Sequence, residues 1–276
     1  MQIHAPAKTN LDLRILGKRS DGFHEIDTLM VRLSLHDTLE IEKANGGGVQ
    51  FTCSDPTIPA GSGNLVLRAI ESFSARTGIA PDLRVHLQKS IPHGAGLGGG
   101  SSDAASTLMA LNRIYEAGLS KADLSGIAAA IGSDIPFFIY ESAARCRGRG
   151  EIVEPCSIRA GIPLVLIKPP FGVPTPWAYK QWSTSLPIPG IRYDSQPMEW
   201  GEMVNDLERP VFEKFIQLAE MKRWLLAQSG VAGAIMSGSG STMVVVLRDS
   251  SGGAQVIRDV LEQFGPNLWA VAVDTV

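Results

Sequence analysis

The segment 92–105 (PHGAGLGGGSSDAA) places five glycines between a predicted strand, 83–87, and a predicted helix, 102–115. Glycine lacks a Cβ atom, so several backbone N–H groups of such a loop can turn toward one point, and a helix that begins there adds the positive end of its dipole. A polyphosphate is the ligand that fits this arrangement. A flexible loop with a helix cap would explain two of the five glycines and leave three unexplained, so phosphate binding is the favoured interpretation.

Two serines close this loop. Ser101 and Ser102 are predicted to cap the following helix, because a hydroxyl oxygen can accept a hydrogen bond from a free backbone N–H at a helix start. Either hydroxyl could also reach a phosphate or its metal ion.

The glycines at 94–99 also satisfy the dinucleotide-binding pattern G-x-G-x-x-G. That pattern expects a strand after the helix and an acidic residue about 20 positions beyond the loop. Asp123 lies at about the right distance, but its neighbours at 119–124 (LSKADL) predict the start of a helix. A nicotinamide-dependent oxidoreductase therefore stays a weaker alternative. A P-loop is excluded because no Gly-Lys-Ser/Thr follows the glycines, and a protein kinase because the chain lacks His-Arg-Asp and Asp-Phe-Gly.

The charge balance argues against a binder of nucleic acid. The chain has 25 Lys and Arg against 28 Asp and Glu, a net charge of −3, whereas nucleic-acid-binding proteins usually carry a basic excess or patch. The three arginines in 145–151 (RCRGRGE) are too few to make RNA binding the leading interpretation. They predict instead a positive rim near the phosphates of a nucleotide.

Cysteine usage and hydropathy predict a cytoplasmic protein that does not contact a membrane. The three cysteines, Cys53, Cys146 and Cys156, are far apart and form no C-x-x-C pair, which favours a reducing compartment. The first residues lack a signal-peptide pattern, and no apolar run is long enough to cross a bilayer. The spacing of the histidines predicts no structural metal.

The pattern of apolar residues differs between the two halves of the chain. In the first half, alternation predicts long strands at 3–16 and 23–42, a short strand at 49–53, and helices at 64–76 and 121–131. The second half predicts the βαββαβ order of a ferredoxin-like fold. Its six elements are expected at 163–167, 211–228, 233–236, 242–247, 254–264 and 268–273. With 276 residues and 44% of them apolar, the chain is large enough for two domains, and we place the boundary near Pro155.

The segment 92–105 resembles the phosphate-binding motif of the GHMP kinases, the superfamily of galactokinase and of homoserine, mevalonate and phosphomevalonate kinases. Five further blocks extend the resemblance, in the family's order, over nearly the whole chain. They are 5–11 (APAKTNL), 21–25 (DGFHE), 131–136 (IGSDIP), 205–208 (NDLE) and 237–242 (SGSGST). Together they resemble the branch of the superfamily that acts on a cytidine-diphosphate-linked branched polyol in the non-mevalonate pathway of isoprenoid biosynthesis.

The resemblance implies a fold, a reaction and its reagents. The fold is α+β, a two-domain α/β sandwich with a GHMP-kinase-like N-terminal domain at 1–155 and a ferredoxin-like C-terminal domain at 156–276. The reaction transfers the γ-phosphoryl group of ATP, which arrives with Mg²⁺, to a tertiary hydroxyl of the small-molecule polyol. The nearest rival is another kinase of this superfamily, of the mevalonate or homoserine type. Binding of nucleic acid or a membrane is not expected, and the protein is predicted to be a monomer or a weak homodimer.

The resemblance also assigns residues to roles. Lys8 and Asp134 form the predicted catalytic pair, and a carboxylate suits this reaction because it can accept the proton of the acceptor hydroxyl. Taken alone, Asp134 would be a helix N-cap and Lys8 a solvated charge at a strand edge. The predicted ATP-binding residues are Pro92, His93, Gly94, Ala95, Gly96, Leu97, Gly98, Gly99, Gly100, Ser101 and Ser102.

The predicted acceptor-binding residues are Asn10, Phe23, His24, Thr175 and Tyr179. Phe23 and Tyr179 are expected to stack on the two faces of the cytosine, and His24 to read its edge, because an imidazole can both donate and accept a hydrogen bond. The chain has Phe23 where the family often has tyrosine, and Tyr179 where it often has phenylalanine. Stacking is expected to survive this exchange, whereas a hydroxyl contact would move.

Overall fold

The computed structural model describes all 276 residues, and the fold begins with two long antiparallel strands. Strand β1 (Gln2–Lys18) pairs with β2 (His24–Lys43) along most of their length, as the alternating pattern predicts. The pairing changes register between Pro6 and Lys8 and again between Asn10 and Asp12. Irregularities of this kind change the direction in which side chains point, and here they occur beside Lys8 and Asn10.

Strand β2 is central to the first sheet. β1 covers one of its edges, and on the other edge β5 pairs with the first part of β2 and β4 with the last part. The order is β3-β4-β2-β5-β6, with β3 parallel to β4 and the other pairs antiparallel. The bounds are β3 (Val49–Cys53), β4 (Leu83–Gln88), β5 (Ala144–Gly148) and β6 (Ile152–Pro155).

Four helices pack on this sheet: α1 (Leu65–Thr77), α2 (Gly99–Ile114), α3 (Lys121–Ile131) and α4 (Ile135–Tyr140). Their apolar side chains and those of the sheet form a core of 26 buried residues. Asn64 caps α1, and Ser120 with Asp123 forms a capping box at the start of α3. Both helices therefore lie within one residue of their predicted bounds.

Helix α2 begins three residues earlier than the sequence predicts, at Gly99 instead of Ser102. Gly98 occupies the N-cap position with φ +69°, a left-handed conformation that suits glycine. The prediction that Ser101 and Ser102 cap the helix is wrong, because both lie inside its first turn. The backbone of Gly98 turns the loop directly into the helix, and no side chain makes a capping hydrogen bond there.

The second half confirms the predicted βαββαβ order. Its antiparallel sheet has the order β10-β11-β7-β12, and α7 and α8 contribute to the core beside it. The bounds are β7 (Pro163–Lys168), α7 (Ile216–Leu226), β10 (Val231–Met236), β11 (Met243–Leu247), α8 (Gly253–Phe264) and β12 (Trp269–Asp274). An insertion between β7 and α7 contains α5 (Thr175–Gln181), β8 (Gln196–Met198), β9 (Gly201–Met203) and α6 (Glu208–Lys214).

The predicted single helix at 211–228 is wrong, because the chain forms two helices there, α6 and α7. They meet at Phe215, whose φ of −113° and ψ of 69° interrupt the helical path. The Phe215 ring stacks on Phe171 with centroids 5.1 Å apart, and its edge meets Trp177. The break contains neither glycine nor proline. It coincides with aromatic contacts to residues distant in sequence, which helical periodicity does not report.

The two halves share a third core of 16 buried residues, which includes Leu11 and Val31 of the first sheet and Leu166 and Val244 of the second. The first sheet therefore lies between its own helices and the second sheet, in the predicted α+β sandwich. The strands change from one sheet to the other between Pro155, which ends β6, and Pro163, which begins β7. The exact limits 1–155 and 156–276 stay a prediction. None of the helices combines the length and the apolar character needed to span a membrane.

Candidate active site

The glycine loop between β4 and α2 lines a cavity of about 270 Å³, which we call the donor cavity after the predicted ATP-binding residues in its wall. All the predicted ATP-binding residues from Pro92 to Ser101 line it, and Asn64 and Lys89 lie on other parts of its wall. Ser102 lies outside the lining, and its buried Oγ has no hydrogen-bond partner. Gly94, Gly96 and Gly98 all have positive φ, between 63° and 78°, so the loop needs glycine at these alternate positions.

The loop is held in place by two distant segments. Leu97 accepts a backbone hydrogen bond from Lys8 of β1 at 2.9 Å, and Gly96 accepts one from the Ser237 hydroxyl at 2.9 Å. A Cβ atom on Gly96 would lie 2.4 Å from the Ser237 carbonyl oxygen, and one on Gly98 would lie 2.8 Å from Cγ of Lys8. Glycine is therefore required here by close contact as well as by conformation.

The second glycine segment, 237–242, lies against the first. Thr242 donates its backbone N–H to Ala95, at 3.3 Å. Asn205 donates from Nδ2 to the carbonyl oxygens of Met236 and Gly238, each at 2.7 Å. Glu208 accepts from Met236 N at 2.9 Å and pairs with buried Lys222 at 2.5 Å. The block at 205–208 thus supports the second glycine segment, which in turn supports the loop.

A buried charge cluster borders the donor cavity, and sequence reasoning missed it. The ammonium of Lys89 contacts both Asp37 and Asp103, and its distance to Asp103 is 3.0 Å. Burial raises the pKa of Asp103 to about 7, although the charge of Lys89 opposes that rise. Three isolated charged residues in a strand, a loop and a helix give no sequence signal that they meet.

Lys8, Asn10 and Asp134 meet beyond the loop. Nζ of Lys8 lies 3.3 Å from Oδ2 of Asp134 and 2.8 Å from Oδ1 of Asn10, whose Nδ2 donates to Thr28 Oγ1 at 2.7 Å. Lys8 is only 4% exposed, so it is not a solvated charge at a strand edge. Asp134 occupies the N-cap position of α4 but makes no capping hydrogen bond, which leaves its carboxylate free for Lys8.

These residues line a second cavity of about 120 Å³, which we call the acceptor cavity after the predicted acceptor-binding residues in its wall. Gly96 and Gly98 line both cavities, so the glycine loop is their common wall. The acceptor cavity is built from side chains of many segments. They include Lys8, Asn10, Thr28, Asp134, Arg149, Thr175, Tyr179 and Ser239.

Three aromatic rings cluster beside the acceptor cavity, whose lining includes neither His24 nor Trp182. Tyr179 lines it, and the ring centroids of Tyr179 and His24 are 5.3 Å apart, with the edge of Trp182 against His24 at 6.0 Å. Burial raises the pKa of the Tyr179 hydroxyl, and the charge of Asp134 adds to this. Burial, with the charge of Lys18, lowers the pKa of His24, which favours a neutral imidazole. Sequence reasoning missed Trp182, although the aromatic content of 177–182 (WAYKQW) was a usable signal.

Thr175 and Phe23, the other two predicted acceptor-binding residues, differ in their position relative to the acceptor cavity. The Thr175 hydroxyl is 2.7 Å from the Ser239 hydroxyl and lines the cavity. Phe23 is 51% exposed and does not line it. The Phe23 ring instead contacts the guanidinium of Arg149, 4.8 Å from the ring centroid, and Arg149 does line the cavity. The structure therefore places Phe23 at the rim.

The predicted positive rim of three arginines is reduced to one. Arg145 pairs with Asp12 at 2.5 Å and also contacts Asp27. Arg147 pairs with Glu154 at 2.8 Å. These carboxylates neutralise both guanidinium groups. Of the three arginines only Arg149 lines the acceptor cavity, and it pairs with Glu151 at 3.4 Å.

The dinucleotide alternative receives no support from the fold. Helix α2 is followed by helix α3, where a dinucleotide-binding unit requires a parallel strand. Asp123 belongs to the capping box of α3 and pairs with Arg76 at 3.2 Å. Its carboxylate is therefore used at the protein surface and is not available for a ribose.

Comparisons with known families and proteins agree with this geometry. The family model "GHMP kinases N terminal domain" matches residues 64–142, and the model "GHMP kinases C terminal" matches residues 194–267. A protein of Methylacidiphilum infernorum named 4-diphosphocytidyl-2-C-methyl-D-erythritol kinase is 41% identical over 273 residues, covering 96% of this chain and 93% of that protein. The protein of the same name from Protochlamydia amoebophila is 39% identical and covers 89% of this chain and 84% of that one.

Solved structures extend the comparison. The crystal structure of a 4-(cytidine 5′-diphospho)-2C-methyl-D-erythritol kinase superposes with a TM-score of 0.80 at 33% identity and covers 99% of each chain. A homoserine kinase from Cytophaga hutchinsonii superposes with a TM-score of 0.70 at 17% identity, covering 100% of this chain and 94% of that one. At that identity the second likeness concerns the fold alone.

Proposed function

The chain belongs to the 4-diphosphocytidyl-2-C-methyl-D-erythritol kinases, a family of GHMP kinases, and we propose that it phosphorylates the acceptor for which that family is named. The protein is an ATP-dependent small-molecule kinase. It transfers the γ-phosphoryl group of ATP to the 2-hydroxyl of 4-diphosphocytidyl-2-C-methyl-D-erythritol, a step of the non-mevalonate pathway of isoprenoid biosynthesis.

The observation that carries this proposal is the common wall of the two cavities. Gly96 and Gly98 line the donor cavity on one side and the acceptor cavity on the other. A triphosphate held by the loop amides would bring its terminal group to that wall, opposite Lys8 and Asp134. Phosphoryl transfer needs in-line positioning and neutralisation of phosphate charge more than it needs a strong base, and this arrangement supplies both.

Lys8 and Asp134 are the proposed catalytic pair. The Asp134 carboxylate accepts the proton of the acceptor hydroxyl as the oxygen attacks phosphorus. The Lys8 ammonium, 3.3 Å away, orients that carboxylate and neutralises negative charge that develops between the acceptor oxygen and the phosphoryl group. Asn10 fixes Lys8 through its amide oxygen.

The aromatic cluster of Tyr179, His24 and Trp182, together with Phe23 at the rim, is the proposed site for the cytosine. Base-on-aromatic stacking contributes about 1–3 kcal/mol, and Tyr179 and Phe23 offer rings for it. A neutral His24 can donate one hydrogen bond and accept another at the base edge. Thr175, fixed by Ser239, is available to the polar part of the acceptor.

Mg²⁺ is proposed to enter with ATP. The protein has no group of three or more acidic, histidine or cysteine side chains that could hold a metal ion alone, which suits an ion bound mainly through nucleotide phosphates and water. Asp103 lines the donor cavity, and its Oδ1 is a buried oxygen without a hydrogen-bond partner, so this hard ligand fits the ion. When bound, Mg²⁺ supplies positive charge to the phosphate oxygens.

The cellular location, the oligomeric state and the partners of the protein are predictions. A cytoplasmic location is supported by three free cysteines, Cys53, Cys146 and Cys156. The absence of nucleic-acid and membrane partners is proposed from charge and hydropathy, and a monomer or weak homodimer stays a prediction.

The proposed function is tested by supplying purified protein with Mg²⁺, ATP and one of three acceptors: 4-diphosphocytidyl-2-C-methyl-D-erythritol, mevalonate or homoserine. We expect ADP to form with the first acceptor only, and mass spectrometry to place the new phosphate on its 2-hydroxyl. Turnover with mevalonate or homoserine alone would contradict the proposal. For variants of the proposed catalytic residues, Asp194→Ala is a suitable control because this aspartate is exposed and makes none of the observed side-chain hydrogen bonds.

A further inference from the structure

Arg149 differs from Arg145 and Arg147 of the β5–β6 hairpin because it lines the acceptor cavity. Arg147 is held by both oxygens of Glu154, at 2.8 and 2.9 Å. Arg149 makes one side-chain hydrogen bond, from Nε to Glu151 at 3.4 Å. Its two terminal nitrogens have no protein partner, and its side chain is 29% exposed. The guanidinium therefore keeps most of its donors for a ligand.

The turn that carries Arg149 is fixed against the proposed catalytic carboxylate. Gly148 and Gly150, on either side of Arg149, have positive φ of 72° and 117°. Glu151 accepts the backbone N–H of Arg149 at 2.6 Å. A Cβ atom on Gly150 would lie 3.6 Å from Oδ1 of Asp134, so the turn that carries Arg149 lies close to that carboxylate.

Arg149 also reaches the aromatic end of the site through its contact with Phe23. Arg149 thus lies between the aromatic cluster, which is proposed to bind cytosine, and Lys8 and Asp134, which are proposed to carry out phosphoryl transfer. An acceptor with a diphosphate between its cytidine and its polyol must place that diphosphate in the same interval.

The charges that line the acceptor cavity also indicate Arg149 as the residue that binds the diphosphate. Lys8 and Arg149 are the only lysine or arginine among its 14 lining residues. Lys8 is paired with Asp134 and Asn10, whereas Arg149 pairs with Glu151 through Nε alone and keeps its two terminal nitrogens without a hydrogen-bond partner. A diphosphate brought close to the Asp134 carboxylate needs a further cation, and an arginine can bind two phosphate oxygens at once.

We propose that Arg149 binds the diphosphate of the acceptor and thereby selects a cytidylated polyol over an uncharged one. This inference rests on the proposed function, because it takes the diphosphate from the proposed acceptor. The sequence block at 145–151 contains Arg149 but gives no reason to separate it from Arg145 and Arg147.

The test is a ligand series that adds phosphates one at a time. The affinities of cytidine, cytidine 5′-monophosphate and cytidine 5′-diphosphate are measured by calorimetry for the wild type, Arg149→Gln and Arg147→Gln. Arg147→Gln is the matched control, since it removes the same charge from the same hairpin outside the cavity. In the wild type, affinity should rise with each phosphate.

We expect Arg149→Gln to weaken binding of the diphosphate by about 10- to 100-fold, the usual effect of losing hydrogen bonds to a charged group. Its affinity for cytidine should stay unchanged, which also shows that the variant is folded, and Arg147→Gln should bind all three like the wild type. An equal loss for cytidine and its diphosphate would overturn the inference and assign Arg149 only to holding Phe23. No loss at all would overturn it outright. A wild type that binds none of the three would overturn the proposed acceptor, and with it this inference.

Discussion

The donor and acceptor cavities adjoin, yet they are built in different ways. The donor cavity is lined largely by one continuous stretch, from Pro92 to Ser101, whose backbone turns around it. The acceptor cavity is lined by side chains from six or more separate parts of the chain, among them Lys8, Asp134 and Tyr179. Backbone amides suit a phosphate chain that all ATP-dependent kinases bind, whereas convergent side chains suit an acceptor that differs between families. Donor binding should therefore be sensitive to backbone shape, and turnover and acceptor choice to single side chains.

The largest effect is expected from Asp134→Ala, which tests the acceptor side alone. Loss of a positioned proton acceptor commonly lowers a rate by about 10²–10⁴-fold, so kcat should fall by that amount. ATP affinity, measured by calorimetry, should stay nearly unchanged because Asp134 does not line the donor cavity. Asp194→Ala serves as the control. Undiminished turnover would remove Asp134 from the reaction, and a matching loss of ATP affinity would abolish the distinction between the two cavities.

A smaller effect, this time on the donor side, is expected from Gly96→Ala compared with Gly94→Ala. Both glycines have positive φ, so alanine should cost each variant about 1–2 kcal/mol of unfolding free energy. Only Gly96 would place its Cβ against the Ser237 carbonyl, at 2.4 Å, and overpacking of this kind adds about 1–3 kcal/mol. Urea unfolding and ATP affinity should both show the larger loss for Gly96→Ala. Equal losses would mean that the contact between the two glycine segments does not hold the loop.

Phe23→Ala should have a more limited effect, restricted to the acceptor. Loss of one stacking surface is worth about 1–3 kcal/mol, which predicts a rise in the KM of the acceptor with the KM of ATP unchanged. Because Phe23 is 51% exposed at the rim, the loss should lie toward the lower end of that range. Steady-state kinetics with each substrate varied in turn would measure it, and an increase confined to the KM of ATP would contradict the placement of the cytosine.

The last prediction concerns how the stability of the protein depends on pH. The pKa of Asp103 is about 7 in the folded protein, above the value of about 3.9 for an unfolded chain. Its contribution to stability is therefore complete below about pH 4 and is lost as the pH rises through about 7. Asp103→Asn cannot titrate, so its unfolding free energy relative to the wild type should increase from pH 5 to pH 8. Parallel curves for the two proteins would show that Asp103 does not titrate in this range, and Asp194→Asn should give such parallel curves.

The contrast between a donor cavity built from one segment and an acceptor cavity built from many explains what could be predicted from the sequence. The glycine loop is one contiguous stretch of sequence, and its glycines indicate a phosphate site even without the family resemblance. The strands and most helices follow from local patterns, as the caps at Asn64 and Ser120 illustrate. The acceptor residues were placed only through the family resemblance, since nothing local relates Lys8 to Asp134.

The features that the sequence did not reveal depend on contacts between distant segments. The helix break at Phe215 coincides with contacts to Phe171 and Trp177, and the charge cluster of Asp103 depends on Lys89 and Asp37. The start of α2 was placed too late because Gly98 begins the helix by its backbone conformation, whereas the prediction relied on serine caps. In each case the decisive partner or conformation lies outside the local pattern.

The most direct test of the account is a crystal structure with a non-hydrolysable ATP analogue and the cytidylated acceptor bound together. We expect the triphosphate along the loop amides and the acceptor 2-hydroxyl about 3–3.5 Å from the γ-phosphorus, with the Asp134 carboxylate in hydrogen-bond reach of that hydroxyl. A γ-phosphorus that lies away from the wall formed by Gly96 and Gly98, with Lys8 and Asp134 out of contact with it and with the acceptor, would contradict the account.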